Sequence, residues 1–299
     1  MRRHAAESSV MKTSRAFPAL LAVAALGLAS CGAPKDEAAS SPDTATSGAK
    51  SCSPASMKTY QDGTLTIGTD NPAYAPWFQD NDPTNGKGYE AAVGYAIAKQ
   101  LGYAKGDVTW AKVPFNLVIT PGKKKFDFDL NQVSISKARA KAVDFSSGYY
   151  DVTQTVITTK GSKIANAKSM AALRPAKLGA QVGTTSYTAI TEQIKPNAKP
   201  AVFDTNVQAV EALKNKQVDG IVVDLPTAFY TTSAQLENGV IVGQLPKSAS
   251  KTEQLGAVLA KDSPLTDCVS TAVDTLRDNG TLKKLETQWL SRKGAPALS

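Results

Sequence analysis

Histidine is all but missing from this chain: among 299 residues only His4 occurs. It falls in a stretch read below as processed, so the body that remains has none. The commonest general base and metal ligand go with it. Cysteine is nearly as scarce, at three. The positions of Cys31, Cys52 and Cys268 match no zinc spacing and offer no free thiol nucleophile. A glycine-rich phosphate loop is lacking too, since Gly183-Thr184-Thr185 has no lysine to complete it. Long apolar runs are absent. The stretch Ala16 to Ala29 counts 14 residues, short of the roughly 20 that span a bilayer, and nothing later approaches that length. No catalytic residue, metal site or cofactor is expected.

What is present begins with charge. Thirty-four Lys and Arg against 26 Asp and Glu give +8. Residues 1–30 hold Arg2, Arg3, Lys12 and Arg15 against Glu7, a net +3, which leaves +5 for the rest (8 − 3). The cations are scattered apart from Lys123-Lys124-Lys125, and no aromatic residues interleave with them. That run reads as a solvated loop, and no nucleic-acid partner is expected.

The apolar stretch reads as a targeting signal rather than as structure. Whether the start is Met1 or Met11, Lys12 and Arg15 precede the run, and Leu28-Ala29-Ser30-Cys31 closes it. An aliphatic and two small residues before a cysteine form the site of a lipoprotein signal peptidase. Residues 1–30 are thus expected to be a lipoprotein signal peptide and Cys31 the lipidated residue. This places the protein on the extracytoplasmic face of the cell membrane. Residues 31–56, rich in Ala, Ser, Thr, Pro and Gly, bury too little apolar surface to fold and read as a disordered tether. Cys52 and Cys268 then remain in an oxidising compartment, where pairing is expected. A bridge closing 216 residues (268 − 52) contributes at most about 5 kcal/mol in the chain-entropy picture.

About 240 residues are left, enough for one large core or two lobes. Strand-like and helix-like segments alternate along them, which predicts an α/β fold with a largely parallel sheet. Leu65 to Thr69 reads as a strand closed by Asp70-Asn71-Pro72. Tyr89 to Leu101 reads as a helix with Val93, Ala96, Ile97 and Leu101 on one face and Gly102 as its stop. Phe126, Phe128 and Leu130 alternate with Asp127, Asp129 and Asn131, the period of a strand. Lys177 to Val182 and Gly220 to Val223 follow as strands, with a helix capped by Asn206 between them. Leu265 to Leu276, stopped by Gly280, and Leu282 to Trp289 read as closing helices.

Polar residues gather where strands end. In open α/β sheets ligands bind outside the carboxyl ends of the strands. Four such ends carry Asp70, then Gln132 and Ser134, then Thr184 and Thr185, then Asp224, with Arg139 close behind Ser134. Each alone is an ordinary turn or cap residue. Together they suggest one convergent site. Arg139 has the planar fork that holds a carboxylate by two parallel bonds, while Asp224 or Asp70 suits an ammonium group. Fixed charges of both signs select a zwitterion over a plain anion or cation. Tyr74 reads as pocket wall, Phe78 as core, and Trp77 as either.

The motifs resemble a known family. Phe126-Asp127, Ser134-Ile135-Ser136-Lys137-Ala138-Arg139, Val143-Asp144-Phe145-Ser146 and Tyr149-Tyr150 are similar to the signature of the amino-acid-type extracellular solute-binding proteins (family 3) of ABC importers. Gly68-Thr69-Asp70, Tyr74-Ala75-Pro76-Trp77, Gly88-Tyr89-Glu90, Val182-Gly183-Thr184-Thr185, Val218-Asp219-Gly220 with Asp224, and Asn279-Gly280-Thr281-Leu282 with Trp289 follow in the family's order. They span nearly all of residues 60–293.

The resemblance implies a two-lobed, periplasmic-binding-protein-like type II α/β fold with a hinge and an interlobe ligand cleft. Lobe 1 would comprise 57–150 and 254–293, lobe 2 151–253, and 294–299 a tail. It implies a monomer that captures a small amino-acid-like ligand by hinge closure and delivers it to an ABC importer permease, held at the membrane by its lipid anchor. Arg139 matches the position that holds the ligand α-carboxylate, assisted by Ser134 and Thr185. Asp224 matches the acid that holds the α-amino group, and Asp70 and Tyr74 match first-lobe pocket positions. Trp77, Gln132 and Thr184 complete the expected ligand-binding set. Asp127 through Gln132 depart from the usual aliphatic run and small residues, and Pro114-Phe115 and Pro121-Gly122 replace a Leu-rich helix, which resembles a branch of actinomycete lipoproteins. Asn131 and Gln132 point to a tighter or more polar pocket. A ligand sensor without transport, or a dehydratase-like enzyme on the same fold, is the alternative reading.

Overall fold

The computed structural model describes residues 52–247, 252–290 and 294–299. The expected signal peptide, Cys31 and the expected tether up to residue 51 lie outside the described residues, while residues 52–56 of that tether fall within them. In chain order the elements are β1 (Leu65–Thr69), α1 (Tyr89–Gln100), β2 (Val108–Lys112), α2 (Phe115–Val118), β3 (Phe128–Asp129), β4 (Val143–Val152), β5 (Gln154–Thr159), α3 (Met170–Leu173) and β6 (Leu178–Gln181). There follow α4 (Thr185–Ala189), β7 (Ala201–Phe203), α5 (Asn206–Lys214), β8 (Gly220–Asp224), α6 (Leu225–Tyr230), β9 (Gly239–Gln244), β10 (Glu253–Ala260), α7 (Thr266–Asp278) and α8 (Thr281–Trp289).

These strands form two five-stranded sheets, ordered β2-β1-β3-β10-β4 and β7-β6-β8-β5-β9, the sheets of two lobes. Thr153 alone separates β4 of the first from β5 of the second, and the chain returns between β9 and β10. The expectation of a largely parallel sheet needs correction. β1 pairs in parallel with β2 and β3, and β6 with β7 and β8, but β10 and β5 run antiparallel to their neighbours. The strands that pass between lobes enter each sheet from the hinge side, opposite to the direction of the βα units.

The first core gathers Leu65, Ile67, Phe128 and Leu130 against Ile97 of α1 and Val273 of α7. In the second lobe, apolar clusters cover both faces of the sheet, one around Val156, Leu178 and Val222 and the other around Ile157, Leu213 and Ile221. Each fully buried Leu or Ile contributes roughly 1.5–3 kcal/mol. α1 stops where expected, with Gly102 at φ +86°, a backbone region glycine enters without penalty. α5 is capped one residue earlier than Asn206: the Thr205 hydroxyl accepts from Gln208 N at 3.2 Å. Cys52 and Cys268 are joined, with Cα atoms 5.4 Å apart, tying the start of the described chain to α7. At the other end, Leu298 is buried in the second core, and Leu298 N donates to Gln244 O beside β9. No helix among the described residues is long and apolar enough to cross a membrane.

One strand is much shorter than its alternation suggests. Only Phe128 and Asp129 pair as β3. The Asp127 carboxylate takes the Thr66 N–H at 2.7 Å and the Tyr60 N–H at 2.6 Å. A side chain thereby occupies the donor that a longer ladder would use.

Candidate ligand-binding site

The carboxyl ends of β1, β3, β6 and β8 converge on a cavity of about 90 Å³ between the lobes. Asp70, Tyr74, Phe115, Gln132 and Arg139 border it from the first lobe, and Gln181, Thr184, Thr185, Asp224 and Thr227 from the second. Seven of the nine residues expected to bind ligand therefore border one space. The other two, Trp77 and Ser134, stand behind its wall. Trp77 is 1 % exposed, and its indole packs edge-on against Tyr89 and Tyr150. Phe78, read as core, is equally buried and also reaches the cavity.

Arg139 is held on three sides. Its Nη1 donates to Ser134 O at 2.6 Å, its Nη2 to Gly183 O of the opposite lobe at 2.8 Å, and the guanidinium lies 5.6 Å over the Phe115 ring. Burial draws its pKa down, and the nearby Glu253 and Asp224 carboxylates oppose that shift. Among the described residues no salt bridge joins Arg139 to an acid. With two of its five N–H donors on carbonyls, the fork keeps donors for an incoming carboxylate.

Asp224 ends β8 and opens α6. Its Oδ1 accepts from Gln154 Nε2 at 2.8 Å. Burial first, and the neighbouring Glu253 second, push its carboxyl up to about 8, against the lowering pull of Gln154 and Arg139. The Ser134 hydroxyl donates to Glu253 Oε1 at 2.5 Å and lies 3.2 Å from Thr185 Oγ1. Thr184 is engaged as a helix cap, accepting from Tyr187 N at 3.2 Å and donating to Gln181 O at 2.7 Å. Lobe-to-lobe bonds thus come from Arg139, from Ser134 and from Trp77, whose Nε1 donates to Thr227 Oγ1 at 2.9 Å.

At the first-lobe end, burial raises the Asp70 carboxyl while Asn71 N, at 2.7 Å, holds it partly back. Gln132 adopts φ +48° and gives both its main-chain and side-chain N–H groups to Glu90. Glu90 is fully buried and also accepts from Tyr149 Oη at 2.5 Å. Burial lifts its carboxyl to about 7, against the lowering effect of those bonds. Thr69 Oγ1 and Asn131 Nδ2, both of residues bordering the cavity, are buried without a hydrogen-bond partner. Such groups cost about 1–3 kcal/mol unless something pairs with them. Beneath them lies Asp129, whose two carboxylate oxygens are also unpartnered. Burial, then Glu90 and Asp70, drive its pKa well upward, and Lys124 pulls the other way. A side chain at Gly68 would meet Asp129 Oδ2 at 2.5 Å, so glycine there makes room for the acid.

Sequence reasoning missed Glu253, Gln154 and Thr227. Glu253 and Gln154 stand at the two crossings, and they approach the site only because the chain passes twice between lobes. No local pattern marks them. Glu90 did leave a signal, an acid within an otherwise apolar helix face.

Residues 65–292 match the bacterial extracellular solute-binding proteins, family 3. The chain belongs to that family. It is 27 % identical over 225 residues to the arginine-binding extracellular protein ArtP of Bacillus subtilis (strain 168), covering 73 % of this chain and 83 % of that protein. With the L-cystine-binding protein TcyJ of Escherichia coli (strain K12) it shares 25 % over 235 residues, 78 % of this chain and 84 % of TcyJ. The crystal structure of the ancestral amino acid-binding protein AncCDT-1, a precursor of cyclohexadienyl dehydratase, superposes with a TM-score of 0.61 at 30 % identity, covering 77 % of this chain and 96 % of that one. All three relatives are named for binding, and the superposition on AncCDT-1 shows a common fold.

Proposed function

We propose that this family 3 protein captures one L-α-amino acid in the interlobe cleft and delivers it to the permease of an ABC importer. A single observation carries the reading: a guanidinium on one lobe and a carboxylate on the other, Arg139 and Asp224, border the same cavity. Arg139 holds the ligand α-carboxylate by a bidentate pair, with Thr185 assisting. Asp224 receives the ammonium group. The ligand side chain extends toward Asp70, Tyr74, Gln132 and the unpaired polar atoms of Thr69 and Asn131, an end suited to a polar or cationic group. The names of the arginine- and cystine-binding relatives support that choice.

Contacts from both lobes stabilise the closed arrangement, so binding shifts the hinge equilibrium. The protein acts as a monomer and does not alter its ligand chemically. Lipidation at Cys31 tethers it to the outer face of the cell membrane through residues 31–56, beside the permease. The motif Leu28-Ala29-Ser30-Cys31 supports the anchor, and a Cys31→Ser chain found still in the membrane fraction would speak against it.

A thermal-shift screen of the purified body against the twenty amino acids and L-cystine tests the assignment. A ligand at 100 times its dissociation constant adds about 2.7 kcal/mol of stability. No shift with any of them would remove the amino-acid reading, and consumption of the ligand would turn it toward an enzyme.

A further inference from the structure

Glu253 has no place in the scheme above, yet it reaches both lobes within hydrogen-bond distance. It opens β10 at the second crossing. Gln154, which opens β5 at the first, sits between it and Asp224. Gln154 Nε2 is 2.8 Å from Asp224 Oδ1, 3.2 and 3.3 Å from Glu253 Oε1 and Oε2, and 3.3 Å from Thr185 Oγ1. The amide is oriented by the acids, since turning it over would set its Oε1 against their oxygens; as it stands, Oε1 accepts from Ser186 Oγ at 2.6 Å. One NH₂ group has two hydrogens, one toward Asp224 and one toward Glu253, so the amide bridges the two acids and holds them side by side. Two acids within reach of one nitrogen atom are neighbours, and like charges at that range do not both ionise readily.

We propose that Asp224, crowded by Glu253 across Gln154, carries a proton in the ligand-free protein, and that the ammonium group of a captured amino acid displaces it. Capture then releases one proton to solvent: the carboxylic acid becomes a carboxylate, and the ammonium takes over the charge balance. Glu253 is a positioning residue in this scheme, acting on the ligand through Asp224.

The surrounding charges fit. Arg139 lies within electrostatic range of both acids, but its guanidinium bonds to the carbonyls of Ser134 and Gly183. Glu90 adds a further like charge toward Asp224, and Tyr150 lies within electrostatic range. Ser134 donates to Glu253, while Gln193 and Lys247 border the outer side of that residue. The elevated Asp224 carboxyl, with Glu253 among its causes, agrees with this geometry. The second half of the proposal rests on the amino-acid reading; the proton on Asp224 does not.

Calorimetric titration with L-arginine at pH 7, in phosphate and in Tris, measures the protons exchanged from the difference in apparent enthalpy. The wild type should release close to one proton per arginine, and its affinity should rise roughly tenfold per pH unit below pH 8. Glu253→Gln should release less than half as much. Equal enthalpies in the two buffers, or the same release from Glu253→Gln, would overturn the coupling. Carboxyl ¹³C NMR of the ligand-free protein decides independently of ligand and of whether the variant folds. A wild-type carboxyl signal that titrates near pH 8 should vanish in Asp224→Asn; if the variant loses no such signal, the proton on Asp224 is refuted. The expected NMR result with no arginine binding would instead fault the choice of ligand.

Discussion

Trp77 Nε1 donates to Thr227 Oγ1 across the two lobes at 2.9 Å while the rest of the indole is locked against Tyr89 and Tyr150. A core residue of one lobe thereby holds the other. Trp77→Phe keeps an aromatic ring at this buried position and removes the donor together with one ring of the indole. A neutral hydrogen bond contributes about 0.5–1.5 kcal/mol, so the variant should lose roughly fivefold in amino-acid affinity. Its ligand-free radius of gyration by X-ray scattering should grow as the hinge opens. Wild-type affinity and scattering together would show that this bond does not hold the lobes.

Stability in the absence of ligand should decrease as pH rises from 6 to 8.5. The folded protein holds protons on Asp224, with a pKa of about 8, and on Glu90, at about 7. The unfolded chain gives them up near the ordinary carboxylate value. Between those limits the folded state binds more protons, so its advantage is complete at low pH and is lost as pH climbs through the folded values. Melting temperatures across this range should fall, and Asp224→Asn should flatten the upper part. A melting temperature that rises toward pH 8.5 would contradict the environment described for both acids.

How much of this was legible in the residues differs by scale. The helix over Tyr89–Gln100 and the strand Leu65–Thr69 could be read because apolar spacing and burial act locally. Asp70, Arg139 and Asp224 could be read because strand ends are where an α/β sheet exposes polar groups. The two-residue β3 could not, since it depends on Asp127 capturing the Thr66 N–H from 61 positions away. Nor could Glu253 and Gln154, which meet only through the double crossing. The mixed sheets have the same origin, for local periodicity carries no information about strand direction.

The Cys52–Cys268 bridge closes 216 residues and fastens the segment before β1 to the buried face of α7. Replacing both residues by serine should cost about 2–5 kcal/mol, measured by urea denaturation of the non-reduced proteins. An unchanged midpoint and slope would mean that the bridge constrains neither state.

The central claim is that Arg139 and Asp224 grip the two ends of one zwitterion. Calorimetric titration of the wild type and of Arg139→Ala with the amino acid giving the largest thermal shift tests it most directly. The wild type should bind one molecule per chain. Losing a buried charge partner costs about 2–5 kcal/mol, so Arg139→Ala should bind at least about 30-fold more weakly. An Arg139→Ala protein that is folded and binds with wild-type affinity would contradict the account.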